Sequence, residues 1–172
     1  MSRTALVVID MINAYDFPDA EKVVPSAEQA VPVIEDILGD HDGPVIYVND
    51  NFGHWRSDRA QLVEEALEGR HPELVRPLEP ADDALFVIKA RHSIFYQTPL
   101  EYLLNQEDVG TLILTGQVTE QCILYSALDA YIRHFEVRVP PDAVAHIHES
   151  LADAALQMME RNMKADLTPA RG

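Results

Sequence analysis

Hydrophobic and polar positions alternate along the chain in blocks of two kinds. Five short apolar runs, rich in β-branched residues, read as strands: ALVVID (5–10), PVIYVND (44–50), ALFVIK (84–89), GTLILTG (110–116) and FEVRVP (135–140). The first four are almost continuously apolar, as strands covered on both faces are. The fifth alternates and reads as less buried. Between them the apolar period lengthens to that of a helix. Residues 26–38 carry Val33, Ile34, Ile37 and Leu38, with Gly39 as a C′ stop and Pro32 predicting a kink or a late start. Residues 58–69 follow Ser57 as N-cap and place Leu62, Val63, Ala66 and Leu67 on one face. TPLE at 98–101 has the form of a capping box with proline at N1. Residues 121–133 put Ile123, Leu124, Ala127, Leu128 and Tyr131 on one stripe, and SLAD at 150–153 opens a last helix. Alternating strands and helices predict βαβ units in an α/β three-layer sandwich, Rossmann-like, with a mainly parallel sheet. In such sheets ligands bind beyond the carboxyl ends of the strands, so the residues at the ends of the apolar runs are the ones to inspect.

Length and charge narrow the picture. A chain of 172 residues suits one domain, 1–172, with a sizeable core. No window is apolar enough for a transmembrane helix, and Asp10 interrupts the first run too early for a signal peptide, so a cytoplasmic protein is expected. The net charge of −16 argues against nucleic acid or an anionic membrane as partner, since both need a basic face, and says little about a substrate. A single cysteine, Cys122, excludes an internal disulfide. Only Lys22, Lys89 and Lys164 among the 13 basic residues are lysines.

Three strand ends carry complementary chemistry. Strand one ends on Asp10, strand three on Lys89, and strand four leads through a short polar link to Cys122. Each has an ordinary reading: a lone cysteine as a small buried hydrophobe, Asp10 as a turn acid, Lys89 as a solvated strand end. Together they form the set nucleophilic catalysis needs, with a thiolate to attack, a carboxylate to take its proton and an ammonium to steady the anion. Lysine's compact, shiftable charge suits that task better than arginine's fixed fork. Cys122 is expected in the first turn of its helix, where free N–H groups and the helix dipole lower a thiol pKa and can hold an oxyanion.

ALVVIDM (5–11), VIKARHSIFYQTPLEYLL (87–104) and LILTGQVTEQCILYSALDAY (112–131), in this order and spacing, resemble the isochorismatase-like cysteine hydrolases, which include nicotinamidases and N-carbamoylsarcosine amidases. The resemblance extends from about residue 4 to 165 and implies a parallel sheet of about six strands. It implies Asp10 as general base, Lys89 as charge stabiliser and Cys122 as the nucleophile of an acyl-thioester. It also implies a cis Gln117–Val118 peptide, with the Val118 and Cys122 N–H groups as oxyanion hole. A homo-oligomer, dimer or tetramer, is expected on the same ground.

The pattern departs from the family in places. The metal site of the nicotinamidases uses an Asp-x-His pair and a later histidine; here Asp50 is followed by Phe52, His54 is displaced, and His71 is the one matching later ligand, so no metal and no cofactor is expected. HIH at 146–148 could place two imidazoles on one strand face but offers no third ligand. Ile12 stands where many relatives have glutamine, with Tyr15 in the aromatic position, which leaves substrate identity open. Tyr15, Phe17, Trp55, Phe95 and Tyr125 are candidate pocket walls, Ser93 a candidate hydrogen-bonding group, and Glu120 either orients the loop or is solvated. Cleavage of a small amide or carbamoyl C–N bond is the expected activity. A vinyl-ether hydrolase of the isochorismatase type, and a non-catalytic binding protein, are the alternatives.

Overall fold

A computed structural model describes residues 2–172. Its strands are β1 (Arg3–Ile9), β2 (Val45–Asp50), β3 (Leu85–Lys89), β4 (Val109–Gln117), β5 (Glu136–Arg138) and β6 (Val144–Ala145). Its helices are α1 (Ala20–Asp40), α2 (Arg59–Leu67), α3 (Pro72–Val75), α4 (Leu100–Gln106), α5 (Leu124–Ile132) and α6 (Glu149–Met163). The sheet has the order β3-β2-β1-β4-β5, with β6 paired beside the last residues of β4, and every pairing is parallel. One core lies under α4, α5 and α6, where Val7, Ile9, Val48 and Leu114 meet Leu100, Leu104, Ala127 and Met159. The second lies under α1, α2 and α3, where Leu6, Val8 and Tyr47 meet Val23, Ala27, Ile34 and Leu62. The three-layer α/β architecture is the expected one.

Several boundaries differ from the sequence reading. The first helix starts six residues earlier, at Ala20, and runs through both Pro25 and Pro32. Proline inside a helix costs about 3 kcal/mol. A buried stripe from Val23 to Ile34 against the sheet outweighs that cost. Gly39 lies inside this helix; the chain leaves it at His41, in extended conformation. The TPLE capping box does not close: Glu101 pairs with Arg133 instead of reaching back, and the helix begins at Leu100. The stripe expected on 121–133 holds at Ile123, Leu124 and Ala127 but not beyond them. Ser126, Ala127 and Ala130 face the core, while Leu128 and Tyr131 are exposed. Small residues let this helix sit close to the sheet, a preference that a hydrophobicity pattern alone does not show. The HIH segment lies just past β6 rather than on a strand. His146 is tied there to Ser26, whose Oγ accepts the His146 N–H at 3.1 Å.

The N-cap of α2 is Asp58, not Ser57. The Asp58 carboxylate accepts the Gln61 N–H at 2.9 Å, while the Ser57 hydroxyl donates to the His54 carbonyl. Asp58→Ala is therefore expected to cost about 1 kcal/mol, read as a drop of roughly 2–4 °C in Tm for a domain of this size. Ser57→Ala should cost the smaller amount of one exposed turn hydrogen bond. Equal losses from the two changes would refute the assignment.

Register fixes what gathers at the carboxyl edge. Asp50 pairs with Lys89 across β2 and β3, and Ile9 pairs with Gly116 across β1 and β4. At Gly116, with φ 106°, a Cβ would stand 2.1 Å from the Ile9 carbonyl oxygen. Only glycine lets the two strands approach this closely while the chain turns out of β4.

Candidate active site

Each of the three strand-end residues is held by its own local structure. Asp10 follows β1 in the left-handed region, φ 55°, which aspartate tolerates better than most residues. Its backbone is fixed on both sides: the N–H donates to the Val48 carbonyl at 3.1 Å, and the carbonyl accepts the Gln117 side-chain amide at 2.9 Å. Its carboxylate then has one orientation. Oδ1 accepts the Asp50 N–H at 2.8 Å, and Oδ2 pairs with the Lys89 ammonium at 2.9 Å. Lys89 ends β3 with its side chain wholly buried. Its Nζ reaches Asp10, stands 3.4 Å from Asp50 Oδ2, and lies 3.6 Å from the Cys122 sulfur. A buried ammonium of this kind persists only when it is paired and hydrogen-bonded.

Cys122 lies in a π-helical turn, Thr119–Ile123, between β4 and α5. The turn is tied down at two points. The Thr119 hydroxyl donates to the Ala145 carbonyl at 2.9 Å, and Glu120 Oε1 accepts the N–H groups of Ile147 and His148 at 3.0 and 2.7 Å. Glu120 thus orients the loop, joining the cysteine turn to the 146–148 segment. The Gln117–Val118 peptide at the head of the turn is cis.

Electrostatics differ from the sequence expectation at the thiol. Burial, reinforced by the negative charge of Asp10, pushes the Cys122 pKa up, and Lys89 only partly opposes this. A helix start alone would have lowered it; here the sulfur is only 7% exposed and desolvation wins. This direction favours the neutral thiol over the thiolate. Burial also works against the charge on Lys89, but Asp10, Cys122 and Asp50 together outweigh it and hold the ammonium above its ordinary pKa.

The other candidate residues separate into two groups. Tyr15 is fully buried in the core, edge-on to His71 and near Phe17, which is itself half-buried. Phe95 is also core, stacked on Phe135 beneath the Arg133 guanidinium. The Ser93 hydroxyl donates to Asp129 at 2.5 Å, which ties the segment after β3 to α5. Trp55 and Tyr125 remain accessible. Trp55 lines a cleft of about 410 Å³ with Asn51, His54, Lys89, Arg91 and Tyr96. Tyr125 faces His92, ring centroids 5.5 Å apart.

As a metal site the residues do not fit. Asp50 is engaged by Lys89 and by the Phe52 N–H. His71 lies between Glu73 and Glu21, and the Glu73 hydrogen bond raises its pKa, which favours an imidazolium that cannot ligate. Among the described residues no three of His, Cys, Asp and Glu converge. Two relations in the site are absent from the sequence reading. Asp50 acts as a second carboxylate for Lys89, and His92 Nδ1 stands 3.7 Å from the Cys122 sulfur. Their signals were present, an acid ending β2 and a histidine three residues after Lys89, but only the folded register brings them to the thiol.

The isochorismatase domain family model matches residues 4–171. The chain belongs to the isochorismatase family. An isochorismatase family protein of Bacillus subtilis, YaaI, is 34% identical over 167 residues, spanning 95% of this chain and 92% of its own length. The structure of N-carbamoylsarcosine amidase from Thermoplasma acidophilum superposes with a TM-score of 0.71 at 27% identity, covering 99% of this chain and 98% of that one. A nicotinamidase from Staphylococcus aureus shares the fold, with a TM-score of 0.75 at 22% identity over 97% of this chain and 100% of its own. This isochorismatase-family hydrolase therefore carries its buried Asp10, Lys89 and Cys122 on the fold that these relatives share.

Proposed function

We propose that this chain is a cysteine hydrolase that cleaves a small amide or carbamoyl C–N bond through an acyl-thioester. One observation carries the reading. The lone thiol lies 3.6 Å from a buried lysine that is itself 2.9 Å from a buried carboxylate. A structural cysteine needs neither neighbour, and a buried ion pair beside it contributes less to stability than apolar side chains of similar volume would. The names of relatives support the substrate class, among them N-carbamoylsarcosine amidase and a maleamate amidohydrolase of Pseudomonas putida that is 26% identical over 166 residues.

In this reading the Cys122 sulfur bonds to the substrate carbonyl carbon while its proton passes to Asp10. The Val118 and Cys122 N–H groups face the oxyanion, and the Lys89 charge steadies the sulfur as it loses its proton. Collapse breaks the C–N bond, the proton on Asp10 goes to the leaving nitrogen, and water then releases the acid from the thioester. From a neutral thiol, proton removal and attack proceed together.

The test is a panel of small amides and ureido acids, with isochorismate alongside, assayed for ammonia or amine release and quenched in acid for intact mass. An acyl adduct on Cys122 with at least one C–N substrate is the expected result. Isochorismate turnover that persists in Cys122→Ala, with no C–N cleavage, would overturn the reading in favour of vinyl-ether hydrolysis.

A further inference from the structure

We propose that His92 is a catalytic residue of this site, the base that activates water against the acyl-thioester. The inference rests on the cysteine-hydrolase reading above and assigns its second half. His92 lies between β3 and α4, and its neighbours bind this segment to the helix that follows the nucleophile. Ser93 donates to Asp129, and the Ile94 N–H donates to the Ser126 hydroxyl at 3.1 Å. The imidazole therefore keeps its place relative to Cys122, with Nδ1 3.7 Å from the sulfur and the ring against Tyr125.

The two sides of the sulfur differ in kind. Lys89 and Asp10 are buried, whereas His92 is exposed. Asp10 serves the sulfur from the buried side, where the Asp50 N–H and Lys89 hold its two carboxylate oxygens. Water reaches a thioester on Cys122 from the solvent side, where His92 offers a ring nitrogen. Nδ1 of the neutral imidazole takes one proton from that water as its oxygen bonds to the acyl carbon. The C–S bond then breaks, the acid departs, and the sulfur recovers its proton from Nδ1. Thiol and neutral imidazole are both restored.

The probe is p-nitrophenyl acetate, whose first turnover reports acylation and whose steady state reports deacylation, so the natural substrate need not be known. In His92→Gln, the Cys122-dependent first turnover should match that of the wild type. The steady state should fall about 10²-fold or more, with acetyl-Cys122 accumulating in the intact mass. In His92→Ala, imidazole added to the buffer should restore part of the Cys122-dependent steady-state rate, measured above the imidazole background given by Cys122→Ala, and should speed the loss of acetyl-Cys122 from the intact mass, which a merely structural role would not allow. A steady state unchanged in His92→Gln would overturn the proposal, and so would equal loss of both phases. Absence of any Cys122-dependent release by the wild-type protein would instead overturn the cysteine-hydrolase reading itself.

Discussion

Cys122→Ala is expected to fold and to lose the proposed C–N hydrolysis by about 10⁴-fold or more, because under that proposal the covalent route goes with the thiol and the rest of the site cannot substitute for it. The stability change should be small, since one buried sulfur is deleted. Its sign should depend on pH. Burial raises the folded thiol's pKa above its unfolded value, so folding is unaffected by this group below about pH 8.5 and loses stability as pH rises beyond that. Cys122→Ala removes this loss, and its Tm should gain on the wild type between pH 8 and 10. The same raised pKa predicts that iodoacetamide alkylation of the wild-type thiol is slow at pH 7 and still rising at pH 9. Full activity in Cys122→Ala would refute the covalent mechanism. A plateau in alkylation below pH 8 would refute the neutral resting thiol.

Lys89→Met should damage both fold and activity. Methionine fills similar volume but leaves Asp10 and Asp50 facing each other with no cation between them; in the wild type both lie within 3.4 Å of Nζ. Removing one partner of a buried ion pair typically costs about 3–5 kcal/mol, because the remaining charge is left uncompensated. The deficit should shrink as pH is lowered from 8 to 5: adding a proton to either carboxyl relieves the repulsion, so the folded variant binds more protons than the unfolded chain. Hydrolysis should fall by at least 10²-fold even where the variant is folded, since the positive charge beside the reacting sulfur is gone. Urea unfolding of both proteins across that pH range decides the first point. A penalty below about 1 kcal/mol, or one independent of pH, would mean that the two carboxylates do not depend on Lys89.

The sequence by itself determined the layers and the strand ends. Near-continuous apolar runs at 5–10, 44–50, 84–89 and 110–116, alternating with helical patterns, fit strands of a parallel sheet, and Asp10, Lys89 and Cys122 fall at or just past the ends of three of them. Those are properties of local pattern, which periodicity records directly. Element ends were less legible. Ala20–Asp40 crosses two prolines because tertiary burial outweighs helix propensity, and α5 turns its small residues inward because the close approach to the sheet is set by its neighbours. Register and burial decided the rest. Asp50 reads from sequence as a remnant of a metal motif, yet pairing with β3 sets it against Lys89. Nothing in the sequence singles out His92, yet the anchoring of its segment on α5 brings it to the thiol. The thiol's charge state follows the same logic, because desolvation belongs to the assembled core and not to any stretch of chain.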